Sequence, residues 1–538
     1  KIIKGELYMK RKTVMQKALV LLLVVAMVAG FTSIAFGQDR AGGQTITMAM
    51  VAAWDNLIPF DTTSSYSDVV LDLIFDKLVY LKQDGTYEPR LAESWEMSED
   101  NKVLTVKLNE NAKWHDGEPV TADDVVFTTK IYGSPTVAAV RQNNVNPFAG
   151  FREDDDSIQV EALDEHTVAF TLAQPTNIDF LFFTKFRDIY IIPQHLLGHL
   201  PLENIRESDY WKSPIGSGPA IYESQISGER MEFTANKEYH LKSPSWDRFV
   251  LRVVATPNLL SGLMNNEIDV LAGNIGSLQL SDWDMAQQQP NLVTNSTTTV
   301  GYQYMAINTA QDFLTPRVRQ AINMAINREA IVAGLLRGEG EAAFGPFSKE
   351  HLYHNDVVNV GFNPEEAKRI LKEEGWDSSR ELVFSVPTGN TVRELAAVII
   401  QQNLQDIGIR TRIVSADFAT HLNRVREGNY DLGLIGSGGS PDPSEAVINF
   451  KPDHINNFAQ LSDWSIYNTG AAGEQAFSFE DRKLHYDKYQ ELLVEQVPFS
   501  FLYFENNLFA HNTRVGNIND NQDYSQLNRD VWNWTIVK

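Results

Sequence analysis

One stretch, Glu88 to Lys130, changes its hydrophobic period in mid-course, and that change constrains the fold more than any other feature. Leu91 to Met97 reads as a strand, and Asp100-Asn101 as a turn. Leu104, Val106 and Leu108 then alternate with Thr105 and Lys107, the period-2 signature of a half-buried strand. Asp116-Gly117 is a second turn, and His115 beside it is read as a solvated turn residue. Thr121 stands where an N-cap belongs, with Asp124 three residues on, a capping-box-like start. Asp123 and Asp124 suit the positive end of a helix dipole. Val125, Val126 and Phe127 carry the buried side. The stretch is a hairpin that turns into a helix, and nothing in it looks catalytic.

At 538 residues the chain exceeds what one core holds, so two or three domains are expected. The formal net charge of −24 repels nucleic acid and anionic membrane surfaces, so neither is an expected partner. Residues 1–37 read as a secretory signal peptide. Met9 is a start, Lys10-Arg11-Lys12 a basic region, Ala18 to Phe31 an apolar run, and Ala35-Phe36-Gly37 a small-residue cleavage site. Cysteine is absent, so no disulfide framework and no lipid-anchored Cys is expected. The chain is expected to be free in solution.

The organisation beyond residue 37 alternates between two styles. Gln44 to Met50 is a strand, Trp54 to Pro59 a loop, and Ser67 to Val79 a helix. Short strands at Ser157 to Ala162 and Thr167 to Leu172 join the first hairpin in a sheet-rich region ending near Leu200. Ser213 to Tyr222 reads SPIGSGPAIY, a tight turn in which Gly216 and Gly218 supply backbone freedom. Glu381 to Val386, Arg393 to Gln405 and Ile409 to Val414 form a strand–helix–strand unit. His421 to Glu427 and Tyr430 to Ile435 repeat it. The apolar runs in these strands indicate α/β organisation. Ser478 to Glu495 is a helix, and the strand Phe499 to Phe504 carries the chain back towards the first lobe.

His195 and His199 lie four apart, as metal ligands on one helix face do, but no third ligand is near in sequence. Asp282, Asp284 and Asp154 to Asp156 are acid clusters of the kind glycoside hydrolases use, and also of the kind solvated turns carry. A Gly-x-Ser-x-Gly elbow is absent. Gly436-Ser437-Gly438-Gly439 follows a strand but lacks the Lys of a phosphate loop. No cofactor, no metal and no catalytic residue is expected. The last loop is still the best site candidate, because ligands of open α/β sheets bind at the carboxyl ends of strands and small residues admit a ligand to the backbone.

The stretch from Leu91 to Val125, with its Leu-Ala-Glu-Ser-Trp, Trp-His-Asp-Gly and Thr-Ala-Asp-Asp-Val phrases, resembles the signature region of the family 5 extracellular solute-binding proteins. Four further blocks resemble the family in the same order: SPIGSGPAIY, ATPNLLSGLMNNEIDVL, LTPRVRQAINMAINREAIVAGLLRGEGEAAFGPF and YDLGLIGSGGSPDP. The resemblance implies an α/β, two-lobed periplasmic binding protein with an extra sheet-rich subdomain and a hinge-closing cleft. It implies residues 38–85, 201–300 and 504–538 as lobe I, 86–200 as its sheet-rich subdomain and 301–503 as lobe II. The crossing segments fall near Thr299 to Ala306 and Val497 to Tyr503.

It further implies a monomeric, periplasmic substrate-binding subunit of an ABC importer, not an enzyme, which delivers an oligopeptide to the permease transmembrane subunits. The implied ligand loop comprises Gly436, Ser437, Gly438, Gly439, Ser440 and Asp442. Peptide binders of the family carry a further Asp, paired with the ligand's α-amino group, where Gly439 or Ser440 stands here. Ser437 stands where they often have Trp. An oligosaccharide is therefore the alternative ligand, and a secreted hydrolase the alternative class. Trp54, Asn56, Trp464 and Tyr467 are the loop residues that would complete the site.

Overall fold

The alternation seen in the sequence becomes strands wherever it is bounded by turns. The structure is a computed structural model. It describes residues 44–81, 87–178, 181–182, 185–356, 359–439, 442–518 and 530–537. The signal-peptide reading therefore lies outside the described residues. Residues 46–538 make one compact unit, and of residues 1–45 the last two are described.

The chain opens with β1 (Thr45–Met50) and α1 (Ser65–Ile74). Helix α1 stops at Ile74, short of the expected Val79, and Val79–Leu81 is instead a strand paired with Tyr87–Pro89. The hairpin of the signature stretch is β2 (Ala92–Met97) and β3 (Val103–Leu108), running into α2 (Ala122–Gly133). Asp124 accepts the Thr121 backbone N–H at 2.9 Å, the reciprocal half of the expected capping box. It also accepts from Trp114 Nε1 at 3.2 Å and from the Gln194 backbone at 2.8 Å. With β4 (Val160–Asp164) and β5 (Thr167–Thr171), the hairpin forms a four-stranded antiparallel sheet in the order β2-β3-β5-β4.

His115 is not a solvated turn residue. Its Nδ1 accepts the Gly216 N–H at 3.1 Å, and its Nε2 lies 3.0 Å from the Gly218 carbonyl. Burial holds its pKa down at about 4, so the neutral imidazole joins the signature turn to the glycine loop. The two glycines there serve close approach rather than unusual dihedrals. A Cβ on Gly216 would sit 1.8 Å from the Ile74 carbonyl oxygen, and one on Gly218 2.5 Å from that of Leu73.

The large sheet takes in β6 (Ala220–Ile226), β7 (Arg230–Ala235), β8 (Arg248–Val253), β9 (Val270–Leu271) and β10 (Leu292–Ile307). Helices α3 (Pro316–Ala325) and α4 (Arg328–Leu335) precede the short strand β11 (Gly340–Ala342). The strand–helix–strand unit is β12 (Glu381–Pro387), α5 (Thr391–Asp406) and β13 (Arg410–Ala416). Its repeat is α6 (Phe418–Arg426) and β14 (Leu432–Ser437). The chain closes with α7 (Ser465–Glu474), α8 (Phe479–Gln496) and β15 (Phe499–Asn512). The strand order is β13-β12-β14-β10-β15-β9-β1-β8-β7-β6, with β11 on β15.

Hydrophobic burial divides this sheet. One core draws on residues from Ile46 to Ala286 and again from Leu508 to Trp534. The other half has a core on each sheet face. Met305, Ile307, Leu432 and Leu434 point into one, and Tyr302, Tyr304, Ala306 and Ile435 into the other. Burial on both faces explains the apolar runs of β12 and β14. Strands β10 and β15 are the antiparallel pair that runs from the first region into the second, from Leu292↔Asn512 to Ala306↔Phe499. Their register shifts between Thr298 and Tyr302, which marks the crossing. Among the described residues, no helix is long and apolar enough to cross a membrane.

Candidate functional site

Parallel pairing of β12 and β14 puts their carboxyl ends at one end of the sheet, where β10 enters antiparallel to β14 with Tyr302 opposite Ser437. Gln303 of β10 is paired with Gly436 on one side and Tyr503 on the other, so all three face the same way. Over them lies Arg393, from the first turn of α5, whose Nε donates to Gln303 Oε1 at 2.9 Å. A Cβ on Gly436 would lie 2.8 Å from Gln303 Nε2 and 2.9 Å from Arg393 Nη2. Glycine is what lets this polar pair settle on the strand.

The loop that follows rests on the crossing strand. Ser437 Oγ accepts the Gly439 N–H at 3.2 Å. Gly439 has a φ of +66°, and a Cβ there would fall 2.0 Å from the Val300 carbonyl oxygen. Gly438 has open space around its Cα. Ser440 lies outside the described residues. Gly439→Ala is expected to lower stability by about 1–3 kcal/mol, through strain and displacement of the loop from Val300. Urea unfolding of the variant beside the unmodified chain measures it, and an unchanged midpoint refutes the close approach.

Asp442 ends the loop inside the lobe. It is 2% exposed, and its Oδ2 lies 3.3 Å from Nη2 of Arg482. Its Oδ1 accepts the Ser444 N–H at 2.9 Å. Both oxygens are thus engaged beneath the loop. Trp464 and Tyr467 are brought together edge to face, with ring centroids 5.8 Å apart, at the start of α7. Trp54 and Asn56 sit on the first-lobe loop. Trp54 Nε1 donates to Gln225 Oε1 at 2.9 Å. The Asn56 amide closes its own turn, accepting from the Ile58 N–H at 2.8 Å. Asn56 and Asp442 therefore spend their hydrogen bonds on shape, whereas Gly438 and Trp464 are exposed. His195 pairs with Asp116 at 2.9 Å, and α-helical structure around it ends at Leu197, before His199.

The two halves also touch at Asn177. Asn177 Nδ2 donates to the Ala476 carbonyl at 2.7 Å. Near it, burial and the neighbouring Asp442 push the Glu474 carboxyl up to about 7, against the pull of Arg482 and Lys185. The native state then binds a proton that the unfolded chain, with an ordinary value of 4.5, releases. Stability from this group is fully present below about pH 4.5 and is lost as pH rises through about 7. Glu474→Gln is expected to raise stability at pH 8 by on the order of 1 kcal/mol and to change it little at pH 4.5. Melting curves at the two pH values check this, and equal shifts at both refute it.

Sequence reasoning missed Gln303, Arg393, Tyr503 and Glu505. Two of them left a signal. An arginine in the first turn of a helix opposes the dipole, and Glu505 is the only charged carboxylate side chain in the otherwise largely apolar strand FSFLYFENNLFAHN.

The family model for bacterial extracellular solute-binding proteins, family 5 Middle, matches residues 86–457. The oligopeptide-binding protein AppA of Bacillus subtilis (strain 168) is 26% identical over 478 residues, 84% of this chain and 84% of that protein. Di/tripeptide-binding protein 1 of Pseudomonas aeruginosa (strain UCBPP-PA14) is 27% identical over 468 residues, 82% of this chain and 84% of that protein. The structure of the ABC transporter substrate binding protein CtaP from Listeria monocytogenes has the same fold. It superposes with a TM-score of 0.80 at 24% identity, covering 92% of this chain and 100% of that one.

Proposed function

This chain belongs to the bacterial extracellular solute-binding proteins of family 5, and we propose that it captures an oligopeptide between its lobes for an ABC importer. The observation that carries the reading is the pair β10 and β15. Two strands join the two cored regions, and the glycine loop stands at the end of the sheet beside them. A ligand that touches both lobes binds the closed form better than the open one, and shifts the population by that difference in affinity. The permease transmembrane subunits then receive the closed form. No bond is made or broken, and the family and these relatives are binding proteins.

Lobe I comprises residues 38–85, 201–300 and 504–538, with 86–200 as its subdomain, and lobe II comprises 301–503. The protein acts as a monomer in the periplasm after removal of residues 1–37. Gly436 to Ser440, Trp54, Trp464 and Tyr467 line the ligand, with Asp442 holding the loop from below. The named relatives bind peptides, so the oligosaccharide alternative is not favoured.

The test is a melting series of the chain from Gln38 against di- to hexapeptides and against α- and β-linked oligosaccharides. A peptide at ~100 times its dissociation constant adds ~2.7 kcal/mol. A response to sugars alone, or to neither panel, overturns the peptide reading.

A further inference from the structure

Strand alternation puts Tyr503, Glu505 and Asn507 on one face of β15, where it passes between the lobes. All three carry buried polar atoms without a hydrogen-bond partner among the described residues: Tyr503 Oη, Glu505 Oε1, and both Nδ2 and Oδ1 of Asn507. Tyr503 is fully buried and Asn507 is 5% exposed. Buried polar atoms are ordinarily satisfied, and here three side chains in succession on one strand face have donors and acceptors to offer a ligand. The neighbour of Glu505 on β11 is Gly340, and on the other side β10 is irregular between Thr298 and Tyr302, a segment that includes Gly301. Burial raises the pKa of the Glu505 carboxyl, and Arg393, which donates to Gln303, pulls it back towards the charged form.

The chemistry of the three side chains selects the ligand group they fit. Glu505 and the Asn507 oxygen accept, the Asn507 amide donates, and the Tyr503 hydroxyl does either. An ammonium with a carbonyl two atoms away, the first unit of a peptide, supplies three N–H donors and one acceptor. Sugar hydroxyls supply donors but bring no cation of their own to the carboxylate. We propose that Glu505, assisted by Tyr503 and Asn507, is the group that receives the free amino terminus of the ligand. The assignment rests on the peptide reading above. It makes the crossing strand, not the glycine loop, the determinant of amine specificity.

The experiment compares one tripeptide that binds the unmodified chain with its N-acetylated form, by calorimetric titration of the unmodified chain and of Glu505→Gln. The unmodified chain is expected to favour the free amine. Glu505→Gln is expected to lose about 30-fold or more in affinity for the free amine and to bind the acetylated form within about threefold of the unmodified chain. Discrimination that persists undiminished in Glu505→Gln overturns the assignment. Equal binding of both forms by the unmodified chain also overturns it, while leaving the peptide reading intact. Binding of no peptide overturns the peptide reading and the assignment with it. A melting curve establishes that the variant is folded. Should it not be, Glu505→Asp reads the same contrast: a weakened but surviving preference supports the role, and an unchanged free-amine affinity refutes it.

Discussion

Asp442→Asn lowers the unfolding free energy by about 3–5 kcal/mol, the largest loss expected from a single charge in the second lobe. The side chains of Asp442 and Arg482 are 1% and 0% exposed. Arg482 packs over Tyr353 and Tyr486, with its guanidinium carbon 5.4 Å and 5.7 Å from their ring centroids, and its Nε donates to the Gly473 carbonyl at 3.2 Å. The amide of Asn keeps the volume and removes the charge, so the guanidinium stays buried without its counter-ion. The acidic partner matters more than the pair as a whole. A double replacement of Asp442 and Arg482 by apolar side chains of similar volume is expected to recover much of the loss, because desolvating both charges was itself costly. Urea unfolding at pH 7 of the single and double variants measures both. A loss under 1 kcal/mol in Asp442→Asn would show that water reaches the pair.

Arg328→Met is the second large effect, about 3–4 kcal/mol. Arg328 is 1% exposed, and its hydrogen bonds described below go to neutral groups. Nε donates to the Phe501 carbonyl at 2.6 Å, and Nη1 to the carbonyls of Asn323 and Ile326 at 3.0 and 3.3 Å. Nη2 donates to Ser500 Oγ at 2.9 Å and to Asn323 Oδ1. Burial pulls its pKa down to about 10, still far above neutrality, so the cation persists. It ties the turn between α3 and α4 to β15. Methionine fills the space but abandons several buried acceptors, each expensive to leave unmade. Thermal unfolding in parallel with the unmodified chain tests this, and a loss below 1 kcal/mol would mean those carbonyls find other donors.

The architecture was legible where pattern is local. The alternation at Leu104, Val106 and Leu108 became β3, and the apolar runs around Leu382 and Leu432 became strands buried on both faces. Thr315-Pro316 capped α3, with the Thr315 hydroxyl accepting the Val318 N–H. Legibility failed where a partner lies far along the chain. His115 looked like a turn histidine because Gly216 and Gly218, its hydrogen-bond partners, are about a hundred residues away. Asp442 looked available because Arg482 lies 40 residues on. Helix α1 ended early because Ile74 and Leu73 press against Gly216 and Gly218, a contact that hydrophobic spacing does not encode. The polar group of Gln303, Arg393, Tyr503 and Glu505 is assembled from three distant segments, and only the misfit of a charge in its own element announces two of its members.

The return of β15 to the first sheet sets an order of assembly. The second lobe's cores use residues 302–504. They are complete before residues 508–534 have emerged from the ribosome. The first core needs Leu508, Phe509, Ala510, Val531 and Trp534, which arrive last. A chain cut after residue 505 would therefore keep the later lobe's interior whole and leave the earlier one open. The amino-terminal half must wait for the carboxyl terminus, the reverse of the usual sequence in which the first part synthesised folds first.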